Sequence, residues 1–190
     1  MARRRRKIDP AKAAAHRVHL DAGAQRANRQ LTAHETLRLF ASLREPKNCY
    51  VGIDGRAEIT YYTADPDQVV TISEIGIIRR DYRERDAAGN ITASGHERAG
   101  RIASEAAVNR LARHGEMLAQ IADTFAARTS LFLSEAEGKL RRARIEHSRI
   151  NHRITRDTHR NAIAGYRAAA AEWRARAEVY RLELAARDAA

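Results

Sequence analysis

Arginine returns every seven residues through the last third of this sequence, at Arg153, Arg160, Arg167, Arg174 and Arg181, inside a stretch (134–190) that contains no proline. Seven residues are close to two turns of an α-helix, so these guanidinium groups line one edge of a rod at steps of about 10 Å. Proline would remove a backbone donor and clash with the preceding turn, and its absence leaves a long helix unopposed. A shorter column, Arg142, Arg149 and Arg156, runs beside the first. A row of like charges repels itself unless an acidic counterpart faces it. Nucleic-acid phosphate is a counterpart that guanidinium groups fork bidentately.

The formal net charge of +11 points the same way, toward a polyanionic partner. A GC-rich genome gives the same arginine and alanine bias without any function, so the placement of charge says more than its total. Residues 1–30 carry nine basic and two acidic side chains, residues 31–133 carry 13 and 14, and residues 134–190 carry 13 and eight. A near-neutral centre is thus bracketed by two basic ends. Within the last segment, 139–160 holds eight basic and two acidic groups, so the charge is densest at the start of the long helical stretch.

These blocks match the local patterns. Residues 1–30, with the basic run Arg3, Arg4, Arg5, Arg6 and Lys7, show no sustained apolar stripe and predict a disordered arm. Thr32 followed by Glu35 is a capping-box pair, and Leu37, Phe40 and Leu43 then share one helical face up to Pro46. From Cys49 the period changes to that of strands. Asp54-Gly55 supplies a hairpin turn between 49–53 and 57–63, and Ala88-Gly89-Asn90 supplies another between 79–85 and 91–94. Residues 69–78, rich in β-branched side chains, predict a strand, although Asp65-Pro66 also suits a helix start there.

From about Ile102 the chain is expected to be helical. Ala107, Leu111, His114, Leu118, Ile121 and Phe125 form one apolar seam, which Gly115 weakens. Ser134 with Glu137 is a second capping-box pair, which places a loop at 128–133 and a single helix from 134 to about 188. That helix shows two seams on opposite faces. One is Ala136, Leu140, Ala143, His147, Ile150 and Ile154; the other runs from His159 through Tyr166, Trp173 and Tyr180 to Leu184. Folded back from 134, the shorter helix covers the longer only to about 160, and the aromatic seam overhangs. It then packs on the β region or pairs with a second copy, for which Tyr166, Trp173, Tyr180 and Leu184 are the candidate oligomerisation residues.

The expected fold class is therefore α+β and mostly α: a short helix and small antiparallel β region (31–99), then a long helical hairpin or coiled coil (100–190). Catalytic signatures are missing from the pattern. Cys49, the single cysteine, has no histidine or acid context and suits a small buried hydrophobe. The eight histidines show no complete metal-ligand spacing, and the ten glycines form no phosphate loop, so no cofactor is implied. No run approaches the length of a membrane span, which predicts a cytoplasmic protein, or one held in a particle assembled in a cell. The expectation is a non-enzymatic, phosphate-directed nucleic-acid-binding dimer. Its contacts are Arg3–Arg6, Lys7, Arg142, Arg149, Arg153, Arg156 and Arg160. The alternative is a scaffold or virion-type assembly protein whose arginines meet an acidic protein surface.

Overall fold

The structure is a computed structural model that describes residue 25, residue 28 and those that follow to 143, and residues 148–190; the side chains of 143 and 148–152 fall outside the description. The run Arg3–Lys7 and the side chain of Arg149 lie outside the described residues.

The expected capping box starts helix α1 (Ala33–Ser42). Glu35 N donates to Thr32 Oγ1 at 3.2 Å and Thr32 N donates to Glu35 Oε2 at 2.9 Å. Arg29 bonds the same carboxylate at 2.8 Å and, with Thr32, holds its pKa down to about 2. The helix ends at Ser42, earlier than Pro46, because Leu43 turns extended and enters the sheet. That changes its buried face: Leu39 and Phe40 pack on the core, and Leu37 points to solvent. Pro46 sits inside the edge strand, at a register shift where a missing donor is tolerated.

Five strands follow as an antiparallel meander: β1 (Leu43–Val51), β2 (Ala57–Thr63), β3 (Gln68–Ser73), β4 (Ile77–Arg85) and β5 (Ile91–Arg101), in that spatial order. The open question over 66–85 resolves to strand, with a turn at Gly76 dividing what alternation alone read as one element. Alternation along β2 and β3 sends Ile59, Tyr61, Val70 and Ile72 to one face, where they are buried. Three further helices cover that face: α2 (Ser104–Ala112), α3 (Gly115–Ala143) and α4 (Ser148–Asp188). One apolar cluster joins the sheet residues to Leu111 of α2, Leu118 of α3 and Trp173 of α4.

The helical hairpin corrects two expectations. Helix α3 runs straight through 128–133, and Ser134 caps nothing; neither proline nor glycine interrupts the chain between Gly115 and Gly138, so the capping-box pair has no break to exploit. Helix α3 is described to Ala143 and α4 from Ser148. Asp123 reaches Arg174, Phe125 stacks on Tyr166 and Gly115 lies under Trp173 and Ala177, so α3 and α4 are antiparallel and in long contact. The first expected seam is therefore split: Ala136, Leu140 and Ala143 lie on α3, and Ile150 and Ile154 lie on α4 with the second seam. Ile154, expected in the first seam, is 62% exposed on α4.

The overhang disappears with that shift. Moving the reversal point gives α3 enough length to meet the aromatic seam, and α2 extends the cover. Trp173 is fully buried within the chain and its Nε1 donates to Gly55 O in the β1–β2 turn at 3.1 Å. Tyr166 stacks on Phe125 at 5.4 Å, and Arg113 lies over the Tyr180 ring at 5.3 Å. Of the candidate oligomerisation residues only Leu184 is left exposed. Two glycines make this docking possible. A Cβ on Gly165 would stand 2.3 Å from Ile53 O, and one on Gly115 would stand 2.5 Å from Trp173 O. Arg176 completes the joint, bonding Glu74 of the β3–β4 turn at 2.6 Å while lying 4.7 Å over the Trp173 ring.

Candidate nucleic-acid interface

Helix α4 presents the arginine column as one exposed edge. Its members have different fates. Arg174 bonds Asp123 and lies 3.7 Å from Glu116, both on α3, and Arg181 bonds Glu178 one turn back. The Asp123 hydrogen bond raises the Arg174 pKa further above its ordinary value. Arg153, Arg160 and Arg167 are exposed, and no carboxylate among the described residues comes within 4.0 Å of them. The column is thus ion-paired at Arg174 and Arg181 and bare of described carboxylates from Arg153 to Arg167.

The neighbouring cations extend the bare half. Lys139 and Arg141 on α3 are exposed without an ion pair among the described residues. Arg142 Nε donates to Gly138 O at 3.2 Å, which leaves its outer nitrogens available. Arg156 departs from the expected flanking position. Its Nε is buried without a hydrogen-bond partner, 3.6 Å from Asp157. The same end of the hairpin also exposes Leu131, Phe132 and Ile154. Sequence periodicity missed Leu131 and Phe132 because it assigned them to a loop.

The interior holds a second group of polar side chains. Tyr61, Arg110 and His114 meet under the sheet: the His114 ring lies 5.7 Å from that of Tyr61, and the Arg110 guanidinium stands 5.3 Å over Tyr61 and 5.6 Å over Phe40. Burial raises the Tyr61 hydroxyl pKa to about 12 and lowers that of His114, so both stay neutral at physiological pH. Cys49 is half-buried, donates to Met117 Sδ at 3.3 Å and has its thiol pKa pushed up to about 11 by desolvation. A thiol so held is a packing group rather than a nucleophile. Among the described residues no three His, Cys, Asp or Glu side chains gather as a metal site, and no helix is long and apolar enough to cross a membrane.

No family model matches the chain, and no curated protein and no solved structure matches it. What stands on geometry alone is the class of molecule: an antiparallel sheet roofed by helices, from which an antiparallel, coiled-coil-like hairpin carries a basic edge.

Proposed function

We propose that this is a binding protein without a catalytic centre, which holds nucleic acid by its phosphates along the bare half of the α3–α4 hairpin. The division of the arginine column carries the reading. Arg174 and Arg181 are bonded to the chain's own carboxylates, whereas Arg153, Arg160 and Arg167 have none in reach among the described residues. An arginine on a solvated helix face can be paired by a carboxylate one turn away, as Arg181 is by Glu178. These three span about 21 Å of helix, a length that follows a phosphate backbone without reading its bases. Arg3–Arg6, Lys7 and Arg149 join the proposal on sequence grounds. Dimerisation through Tyr166, Trp173 and Tyr180 does not, because the chain itself uses those rings.

The test is a salt titration of binding to duplex and single-stranded nucleic acid. Replacing Arg153, Arg160 and Arg167 with glutamine keeps helix propensity and should flatten the log–log salt slope by up to about three units, for all sequences alike. Arg174→Gln, which removes an intrachain pair, should leave the slope in place. Unchanged affinity in the triple variant refutes the proposal. A second reading, docking on an acidic protein surface, draws on the exposed Leu131, Phe132 and Ile154 in the same hairpin. It is favoured if the protein retains no nucleic acid at low salt.

A further inference from the structure

The face of the sheet turned away from the helices carries an unspent set of side chains. Strand register places them in line. Tyr62 of β2 is opposite Val69 of β3, Val69 is opposite Asp81 of β4, and Asp81 is opposite His96 of β5. Neighbouring strands stand about 4.8 Å apart, so the row runs from an aromatic ring, across an apolar floor, to a carboxylate and an imidazole within about 14 Å. Lys47 of β1 lies over the Tyr62 ring at 5.8 Å, and Arg83 adjoins the far end of the row. Together they line a dish of about 510 Å³, a size that suits a small ligand.

The state of these groups gives the dish chemical direction. Nearby Asp67 is already spent, because Arg85 Nε bonds both of its oxygens at 2.8 and 2.9 Å. Lys47, Asp81, Arg83 and His96 are exposed and their side chains have no hydrogen bond or ion pair among the described residues. Tyr62 is 43% exposed, with Val69 beside it as a partly buried floor. The inventory is therefore one flat ring face, one free acceptor and a surplus of cations. A bare anion gains from the cations but is repelled by Asp81. A ligand that joins an anion to a planar ring bearing N–H donors uses every part.

We propose that this open sheet face is a nucleotide site. The base stacks on Tyr62 above Val69, Asp81 accepts from an exocyclic amine or ribose hydroxyl, and Lys47 with Arg83 takes the phosphate. Stacking on exposed aromatic side chains is a general way for a protein surface to hold an unpaired base. The ligand's source is either a free mononucleotide or an unpaired residue of a strand, and the site is separate from the hairpin's arginines.

The experiment is an amide-resolved NMR titration of the full chain with AMP, CMP, ribose 5-phosphate, inorganic phosphate, a single-stranded oligonucleotide and a duplex. AMP or CMP should shift the amides of Tyr62, Val69, Asp81 and His96, with ribose 5-phosphate at least about tenfold weaker. Tyr62→Val keeps strand propensity and should abolish the response. Lys47→Gln, at an exposed position, should weaken it severalfold without touching the fold. Substituting Arg153 and Arg160 should leave it intact. Response to the single strand but not to mononucleotides or duplex assigns the site to a strand and also supports the proposal. Inorganic phosphate as effective as AMP, or no shift in this row with any ligand, overturns it.

Discussion

Replacing Trp173 with alanine is the sharpest check on how α4 is held. The indole is fully buried, its Nε1 bonds Gly55 O at 3.1 Å, and Arg176 covers its ring. Truncating a buried aromatic costs about 3–5 kcal/mol, since the site relaxes only in part. The orphaned Gly55 carbonyl adds about 1 kcal/mol, and the lost cation–π contact a comparable amount. Arg176 itself stays anchored by Glu74 and Glu172, which limits the collapse. A chain of this size loses about 2–4 °C of Tm per kcal/mol, so the variant should melt at least about 10 °C lower. The assay is urea and thermal unfolding followed by far-UV circular dichroism, because the substitution removes the only tryptophan. Trp173→Phe, which keeps most of the ring volume, should retain more than half of the lost stability. Sedimentation should report the same mass for parent and variants. A cost below about 1 kcal/mol, or a fall in mass on substitution, would refute the packing described here.

Three further outcomes follow from the geometry. Gly165→Ala drives a Cβ to 2.3 Å from Ile53 O and should destabilise by about 1–3 kcal/mol, whereas Gly138→Ala, with only a side-chain nitrogen at 3.9 Å, should stabilise by about 0.5–1 kcal/mol in the same thermal assay. The Glu35 carboxyl is held near pKa 2 in the folded chain against an ordinary 4.5, so the stability it lends is present above 4.5 and drains as pH falls toward 2; Glu35→Gln should flatten that part of the stability–pH curve. His114 is half-buried and its pKa is lowered, so its contribution is complete above 6.5 and is lost as pH falls below that, and His114→Gln should remove this earlier loss.

How much of this was legible beforehand varies with the range of the interaction. The Thr32–Glu35 cap, the turns at Asp54-Gly55 and Ala88-Gly89-Asn90, and the α+β class were readable because their causes lie within a few residues. The Ser134–Glu137 pair has the same local form and caps nothing, since a cap matters only where the chain has reason to stop. That error ended α3 several turns too early and left the aromatic seam without its partner. The partner, the β1–β2 turn around Gly55, lies 118 positions from Trp173, and no period connects them. Heptad spacing did place the arginines on one edge. It said nothing of which would meet Asp123, so the neutralised and bare halves looked alike. The Tyr62 row was hidden for a similar reason, because which residues stand side by side across strands depends on register.

The meander has a consequence for how the molecule comes into being. Each strand pairs with its sequence neighbour, so the sheet can assemble from nearby segments while the chain is still being made. Its oily side, with Ile59, Tyr61 and Ile72, is not sealed until the final helix has left the ribosome and delivered Trp173. For that interval a nascent chain is a half-built sandwich with one adhesive face and a free edge strand, the form most prone to self-association. Ribosome stalling or protease clipping ahead of α4 would hold it there. Newly made protein should therefore lean on ribosome-associated holding chaperones far more than the finished molecule does.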